Sequence, residues 1–496
     1  MTMYFKTTRR MDAKKSISRV TPIDKVLEIL EWEEEYAYSL GVQAYVYGFP
    51  WVYLSWLKWL WTTKGGKALM DKQNKSLPWA PVNSFFRSAE LASSATPAGG
   101  SPNCDTLYAV AWLDVSKDPI VVSVPKITDR YYCMQLACLD SDNFDYIGGL
   151  NAKNVDSAVN YLIAGPDWEG DVPEGIVLLE YSRTPDVLIF GRTGVNDTSD
   201  DELANANKIQ NQYTLTTLTQ WNNPHVSHDL NASNEIAPHS IHNPTESTIG
   251  AWESMNRAMK NNPPGVSPGI DQTELLKLFA TIGVGPNESW MQQSKATKRG
   301  LERAAKHGLE MLRKMASARG SVINNWNYPP KDIGRAGQNS DFITRASLQA
   351  LAGISAHDAQ QAVYINTALD ADSEKLTGGK KYIINFKDEK AFPLFDEDNH
   401  GFWSITMYQS ENYNILPNSK AYSVNSYYPE FQSRDTNDGM TICMQSDKPD
   451  GYGSDGVYWL EVPEEGNFYL ILRVYVPDES VWETQTWSPP VIQPVK

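Results

Sequence analysis

The chain has 496 residues, of which 41% are apolar and 21% are charged, as in folded globular proteins and unlike disordered chains. Its formal net charge of −16 argues against a nucleic-acid partner and against anionic membrane surfaces. Neutral or cationic small molecules, or anions held in a locally basic pocket, remain as partners. At about 100–200 residues per domain, the length predicts roughly two to four structural units.

The N-terminal segment, residues 1–20, is basic and is not followed by the apolar stretch of a secretory signal. We interpret it as a mobile basic arm, and an organelle transit peptide is the alternative. The four cysteines are too sparse for a disulfide framework, and no Cys-x-x-Cys pair offers a zinc site. A reducing compartment is the simpler interpretation, so we expect a cytoplasmic protein.

A helical pattern starts at Thr21, where apolar residues begin to recur at helical spacing. We expect Pro50 to end this helix and to open a second one that reaches Trp61. The apolar run from Gly41 to Trp61 is thereby divided, whereas a membrane-spanning helix needs about 20 uninterrupted apolar residues. The sequence therefore predicts two buried or interfacial helices and no membrane span.

Strand patterns follow in the middle and at the end of the chain. Short apolar and aromatic runs lie between residues 83 and 192, and residues 119–139 have the signature of a hairpin. Residues 222–262, rich in Asn, Ser, His and Pro, are predicted to form a loop-rich connection. From Gln361 onward, short strands separated by turns are typical of a sandwich or jelly roll.

These patterns predict an α+β fold in which helical lead-in segments accompany two β-sandwich units of jelly-roll type, packed together. We expect an N-terminal helical and β domain over residues 21–221. Residues 263–496 are expected to form helices and then the C-terminal sandwich, after the connection at 222–262.

One of the later helices, capped by Ser294, carries a basic stripe on its polar face. The stripe consists of Lys298, Arg299, Arg303, Lys306, Arg313 and Lys314. A solvated face is the first interpretation, and docking onto an acidic neighbour is the alternative.

Standard catalytic signatures are absent from the sequence, which has no nucleophile elbow, phosphate-binding loop, HExxH motif or dinucleotide fingerprint. Histidine clustering suggests a metal, because four of the seven histidines fall within eighteen positions. They are His225, His228, His239 and His242. Imidazole pairs suit zinc, copper, nickel or iron, but the surrounding prolines favour a polar loop. We therefore predict no cofactor and keep a metal ion as a weak alternative.

The segment from Ser101 to Tyr108 combines polar residues directly ahead of a strand. Asp105 could act as a general base or ligand acceptor and Asn103 as a polarising amide, while capping of a turn is the alternative role. Arg130 and Tyr132 share one face of a strand, and either Arg130 or Arg192 could hold an oxyanion.

Two segments, Ala44–Pro50 and Pro102–Tyr108, are similar to the start of a family that pairs the domains of unknown function 1254 and 1214. The similarity continues through Trp112–Asp114, Arg130–Tyr132, Tyr161–Pro166, Gly191–Thr193, Arg345–Ala346, Ala362–Tyr364, Gly401–Tyr408, Trp459–Leu460, Leu472–Arg473 and Trp487–Pro490. The resemblance implies an N-terminal helical and β unit, a C-terminal jelly-roll sandwich and no settled activity. The family's Pro-Asn-Asn-Asp-Thr reads Pro-Asn-Cys-Asp-Thr here, and the histidine-rich loop is not part of its pattern.

The densest motifs of the two halves are expected to face a shared cleft. Asp105, Asn103 and Arg130 are the candidate catalytic residues. The candidate substrate-binding residues are Tyr108, Tyr132, Arg192, Trp403 and Tyr408. A pocket of one carboxylate, an amide, arginine and aromatic rings suits a neutral, partly apolar or polyhydroxylated small molecule.

The resulting hypothesis is an enzyme of hydrolase or lyase type that acts on such a molecule by acid–base chemistry at Asp105. A non-catalytic small-molecule-binding or assembly protein, which includes a homo-oligomer, is the alternative. A metalloprotein built on the histidine-rich loop is the weaker one.

Overall fold

Helices and strands both form in this chain, which a computed structural model describes over residues 22–73, 77–95, 100–152, 157–227, 231–242, 249–265, 272–428, 431, 439–453 and 456–495. The helices are α1 (Pro22–Thr62), α2 (Lys64–Lys72), α3 (Asp200–Gln210), α4 (Leu218–Asn222), α5 (Gly250–Asn261), α6 (Thr273–Ala280), α7 (Lys295–Met315), α8 (Phe342–Thr344), which continues as a π-helix (Arg345–Ala352), and α9 (Glu479–Trp482).

The strands of the N-terminal half are β1 (Phe86–Arg87), β2 (Thr106–Asp114), β3 (Ile120–Val124), β4 (Tyr132–Cys138), β5 (Asn143–Gly148), β6 (Val159–Ile163), β7 (Ile176–Leu178), β8 (Asp186–Gly194) and β9 (Thr214–Thr217). Those of the C-terminal half are β10 (Ser321–Ile323), β11 (Trp326–Tyr328), β12 (Ala362–Thr367), β13 (Tyr382–Phe386), β14 (Phe402–Gln409), β15 (Ser423–Asn425), β16 (Met440–Gln445), β17 (Val457–Glu461), β18 (Phe468–Tyr475) and β19 (Gln493–Pro494). The predicted α+β class with two sandwich-like units is confirmed.

Helix α1 runs without a break through Pro50, so the expectation that Pro50 ends one helix and opens another is wrong. Proline costs about 3 kcal/mol or more inside a helix, because it lacks the N–H that would bond four residues back. Burial offsets that cost, since Phe49, Trp51 and Val52 are fully buried and such side chains contribute about 1.5–3 kcal/mol each. Among the described residues, no helix is long and apolar enough to cross a membrane.

Helix α7 packs along α1, and part of its basic stripe docks onto acidic residues there. Arg299 Nε donates to Glu34 Oε2 at 2.6 Å, and Arg303 contacts Glu34 and Glu35 at 3.1 and 2.6 Å. The alternative of an acidic neighbour is confirmed for these two arginines. Gly300 permits the close approach, because a Cβ there would lie 2.4 Å from the Glu34 carbonyl oxygen.

The connection predicted over residues 222–262 is not loop throughout, because α5 forms near its end. Trp252 of α5 is fully buried, with its ring 5.8 Å from that of Tyr45 and its Nε1 donating to the Leu301 carbonyl at 3.0 Å. This helix therefore ties α1 to α7.

The N-terminal sandwich stacks a five-stranded sheet, in the order β1-β2-β8-β4-β5, on a four-stranded sheet, β7-β6-β3-β9. Strand β3 pairs with β6 and β9, whereas β4 pairs with β5 and β8. The hairpin predicted over residues 119–139 is therefore wrong. Strand β4 is buried along its whole length and β3 along most of it, so neither shows the alternation from which a pairing partner could be inferred.

The C-terminal sandwich stacks a six-stranded sheet, β10-β11-β12-β18-β14-β15, on a four-stranded sheet, β17-β16-β13-β19. Its interior is filled by apolar side chains of both sheets, among them Trp403, Ile405, Leu472, Val474, Ile384, Phe386 and Ile442.

The five-stranded sheet is covered on both faces. One face packs in its own sandwich, and the other contacts α1 through Trp112 and Leu188. Further along this second face, Cys133 packs with Phe402 and Tyr475 of the six-stranded sheet. We call this contact between the two sandwiches the seam.

Candidate functional site

A tyrosine–arginine pair of the N-terminal sheet lies at the seam. Tyr108 of β2 lies opposite Arg192 of β8, and Arg192 lies opposite Cys133 of β4. Directly opposed residues project from the same face of a sheet, so these three side chains form a row. The Arg192 guanidinium carbon is 5.8 Å from the Tyr108 ring centroid and 5.0 Å from that of Phe190.

The six-stranded sheet presents a second row of the same kind. Tyr364 of β12 lies opposite Arg473 of β18, Arg473 lies opposite Ser404 of β14, and Ser404 lies opposite Asn425 of β15. The Arg473 guanidinium carbon is 5.8 Å from the Tyr364 ring centroid. Each sandwich thus contributes one cross-strand tyrosine–arginine pair to the seam.

Asp105 joins the two sandwiches through its buried carboxylate. Oδ2 accepts a hydrogen bond from Ser404 Oγ at 2.5 Å, and Oδ1 accepts one from Asn425 Nδ2 at 2.8 Å. Burial raises the pKa of the Asp105 carboxyl, while the charge of Arg473 and the two hydrogen bonds oppose that rise. The N-terminal motif therefore docks onto the polar row of the C-terminal sheet.

Asn103 fixes the turn that carries Asp105. Its Oδ1 accepts from the Asp105 backbone N–H at 2.6 Å, as in an Asx turn. Its Nδ2 donates to Thr106 Oγ1 at 2.9 Å and to the Tyr475 hydroxyl at 2.7 Å. The amide is thereby committed to the turn and to the partner domain.

Arg192 is 8% exposed, and its guanidinium is only partly satisfied. Nη1 donates to Gln135 Oε1 at 3.2 Å and to the Phe190 carbonyl at 3.3 Å. Nε has no hydrogen-bond partner, and no carboxylate pairs with Arg192, within the described part of the chain. A buried charge without a counter-ion costs several kcal/mol, and Arg192 has no described anionic partner to offset that cost.

Arg473 is also buried, with 4% of its surface exposed, and its guanidinium is also only partly satisfied. Nη2 donates to the Ser101 carbonyl at 2.9 Å, and the guanidinium carbon lies 5.6 Å from the Tyr408 ring centroid. Nη1 is buried without a hydrogen-bond partner among the residues the structure covers, as is the hydroxyl of Tyr131 at the same seam. Donors of both sandwiches therefore remain unused there.

His357, which the sequence did not single out, adds an imidazole to this region. It is 1% exposed, and neither ring nitrogen has a hydrogen-bond partner among the described residues. Its ring stacks on that of Tyr146 at 5.7 Å and lies 6.4 Å from that of Tyr364. Burial, together with the charge of Arg192, holds the pKa of His357 well below its usual value, so the ring is neutral.

The loop that carries His357 is strained and tightly held. Ile354 and Ser355 adopt left-handed backbone angles, with φ of 45° and 66°. Gln135 Nε2 donates to the carbonyls of Ser355 and Ala356 at 2.8 and 2.9 Å. Since Gln135 Oε1 also accepts from Arg192, Gln135 links this loop to Arg192. Strain that the surroundings hold in place in this way is typical of functional sites.

Three predicted site residues lie elsewhere. Arg130 is held by Glu202 and Asp129 at 2.8 Å each instead of facing Asp105. Tyr132 projects into the N-terminal core, and Trp403 projects into the C-terminal core. Strand alternation explains the positions of Tyr132 and Trp403. Each directly precedes a residue that faces the seam, Cys133 or Ser404, and neighbouring strand residues point to opposite faces of the sheet.

The other predicted residues do come together at the seam. Asp105, Asn103, Tyr108 and Arg192 are joined there by Tyr408, whose hydroxyl donates to the Pro102 carbonyl at 2.6 Å. The residues that sequence reasoning missed are Arg473, Tyr364, Ser404, Asn425 and His357. A signal for Arg473 was available, because it is the single charged residue of an otherwise apolar strand pattern from Phe468 to Tyr475.

The described part of the histidine-rich segment shows no metal site. His225 is exposed, and His228 lies outside the described residues. The backbone N–H of His239 donates to Ser254 Oγ at 2.7 Å, and the ring of His242 lies 5.2 Å from that of Trp56. The described residues contain no group of three or more His, Cys, Asp or Glu arranged to hold a metal ion.

Comparisons with known proteins agree with the two-part organisation. Residues 82–217 match the family model of a protein of unknown function, DUF1254, and residues 361–479 match a second, DUF1214. The pairing inferred from the motifs is thus confirmed. A search of curated proteins gives no match.

A solved structure shows a similar fold. The crystal structure of the VPA0106 protein from Vibrio parahaemolyticus is 20% identical and covers 93% of this chain and 100% of its own, with a TM-score of 0.63. An uncharacterised protein from Burkholderia cenocepacia is 12% identical over 95% of each chain, with a TM-score of 0.41. At 20% identity, the similarity to the VPA0106 protein is evidence for a shared fold and not for a shared function.

Proposed function

The chain pairs a DUF1254 domain with a DUF1214 domain, and from the seam between them we propose that it binds a small organic anion. The observation that carries this proposal is the unmatched charge of Arg192, which is buried, keeps an unused Nε and has no carboxylate partner among the described residues. An anionic ligand would supply the missing counter-charge.

The chemistry of the seam favours a carboxylate. Guanidinium groups bind planar carboxylates with two parallel hydrogen bonds, and Arg192 and Arg473 both keep unused N–H groups. Tyr108 and Tyr364, both partly buried, add aromatic surface that suits an apolar or planar body behind the charged group. The proposed ligand is therefore an anion held by buried arginines, in place of the neutral molecule expected from the sequence.

The contacts of Asp105 favour a structural role at the seam over a catalytic role. Both carboxylate oxygens already accept hydrogen bonds, from Ser404 and Asn425, so Asp105 links the two domains.

A second candidate function is an enzyme of the hydrolase or lyase type, and His357 is the observation that favours it. A neutral imidazole with two unused nitrogens can accept or donate a proton, and here it adjoins Arg192 and Tyr364. A bound anion would neutralise part of the charge of Arg192 and so make the imidazole a better base.

Calorimetric titration with acetate, benzoate and pyruvate, each compared with an uncharged counterpart such as benzamide, tests the binding proposal. We expect saturable binding of at least one carboxylate and none of its uncharged analogue, with loss of binding in Arg192→Met. Binding that Arg192→Met leaves unchanged would contradict the proposal. Conversion of a bound carboxylate, lost in His357→Phe, would favour the second candidate.

A further inference from the structure

A second region of the N-terminal sandwich forms an open cavity of about 400 Å³, a volume within the usual range of small-molecule sites. Its lining includes Asp145, Tyr146, Tyr161, Glu180 and Tyr181. Neither Arg192 nor Arg473 contributes to it, so it is a different site from the one proposed at the seam.

The cavity lies where the two sheets of the sandwich leave an open edge. Strand β5 is the last strand of the five-stranded sheet, and β7 is the last of the four-stranded sheet. Asp145 of β5 bridges this edge, because its Oδ2 accepts the backbone N–H of Glu180 at 2.9 Å. Its Oδ1 accepts the backbone N–H of Tyr146 at 2.7 Å. The carboxylate is therefore fixed in place at the cavity.

The charges at the cavity are acidic and unpaired. Neither Asp145 nor Glu180 forms an ion pair with any residue that the structure describes. Arg335 is close enough to Asp145 for their charges to interact, but the Arg335 guanidinium pairs with Asp358 at 2.7 Å. None of the described lining residues is an arginine or a lysine, so the charge that these residues bring to the cavity is negative.

Tyr161 gives an independent indication of a ligand. Its side chain lines the cavity, yet the residue is only 2% exposed and its buried hydroxyl has no hydrogen-bond partner among the described residues. Burial and the charge of Asp145 raise the pKa of this phenol to about 12, so the hydroxyl keeps its proton. A neutral phenol can accept a hydrogen bond from an ammonium group, and a buried hydroxyl without a partner is unfavourable.

We propose that this cavity binds an organic cation with an ammonium or guanidinium group. Asp145 and Glu180 would supply the counter-charge, and the Tyr161 hydroxyl would accept one of the N–H groups. Tyr181, which is 41% exposed, adds an aromatic face at the rim, and organic cations are attracted to such faces.

The experiment uses the full chain, with benzylammonium as probe and benzyl alcohol as its uncharged counterpart, followed by titration calorimetry. We expect one saturable benzylammonium site that weakens at high salt, and binding of benzyl alcohol that is at least about tenfold weaker. Glu180→Gln should weaken benzylammonium about tenfold and Tyr161→Phe several-fold.

Glu174→Gln is the matched control, since Glu174 is an exposed carboxylate of the same domain outside the cavity. Equal affinity for benzyl alcohol would overturn the proposal, as would unchanged binding in both cavity variants or the absence of saturable binding. Circular dichroism of each variant tests whether the fold is intact, and with an intact fold a loss of affinity reports on the cavity.

Discussion

Arg192 lies directly opposite Tyr108 on the neighbouring strand, with its guanidinium carbon 5.8 Å from the ring centroid. Arg473 and Tyr364 repeat this relationship at the same 5.8 Å in the other domain. Neither arginine forms a salt bridge with a described carboxylate, although Asp105 lies near Arg473. Two sandwiches of different sequence thus place the same cationic and aromatic pair at one contact.

Because Asp105 links the two domains by hydrogen bonds, we expect Asp105→Asn to lower the stability of the chain. An amide carries no charge and offers a single acceptor oxygen, so the hydrogen bonds that link it to Ser404 and Asn425 are no longer charge-assisted. We expect the free energy of unfolding to fall by about 1–3 kcal/mol. Urea unfolding measures this, with the exposed Asp171→Asn as control. A variant as stable as the parent chain would show that Asp105 does not join the domains.

His357 should contribute little to folding, since neither of its nitrogens has a described partner. His357→Phe keeps an aromatic ring against Tyr146 and removes two buried polar atoms. We therefore expect unchanged or higher stability, together with weaker binding of carboxylates or loss of turnover. A large loss of stability with unchanged binding would make this histidine structural.

The same histidine predicts a pH dependence of stability. Its pKa is lower in the folded chain than the value of about 6.5 in the unfolded chain, so the unfolded chain takes up the proton first as pH falls. Below about pH 6.5, the parent chain should lose up to about 1.4 kcal/mol per pH unit relative to His357→Phe. Urea unfolding of both chains between about pH 7 and pH 5 checks this. Parallel curves would refute a buried neutral imidazole.

Cysteine reactivity should follow burial. Cys104, Cys133 and Cys138 are buried, and burial raises the pKa of the Cys104 thiol to about 11 and that of Cys133 to about 12. We expect a thiol reagent to modify Cys443 alone in the native chain and all four cysteines after unfolding. Rapid native labelling of Cys104 would instead reveal an accessible nucleophile at the seam.

Trp403 should affect stability and not ligand binding. Its ring stacks 6.0 Å from that of Phe386 inside the C-terminal sandwich, away from the seam. Trp403→Phe leaves a partly filled cavity and should cost about 1–2 kcal/mol of unfolding free energy. Carboxylate affinity, measured by calorimetry, should stay the same, and a selective loss of affinity would return Trp403 to the binding site.

Sequence reasoning found the motif positions but not the faces they occupy. Asp105 and Arg192 were identified because polar residues in apolar surroundings are conspicuous. Trp403 was misplaced because β14 is buried on both faces, which hides the strand alternation, although Ser404 and Thr406 two positions apart mark its polar face. His357 lies in a loop without periodicity, and its proximity to Arg192 depends on the packing of the two domains.

The anion proposal is tested most directly by Arg192→Met, measured for both stability and binding. A methionine removes a buried charge that has no described counter-ion, so the free energy of unfolding of the ligand-free chain should stay equal or rise. Affinity for the best-bound carboxylate should fall about a hundredfold, since hydrogen bonds to a charged group are worth about 1.5–3 kcal/mol each. Lys306→Met, which removes an exposed cation of α7 that forms no ion pair with the described residues, is the control for both measurements. A destabilised Arg192→Met chain that binds carboxylates as tightly as the parent would contradict the proposal.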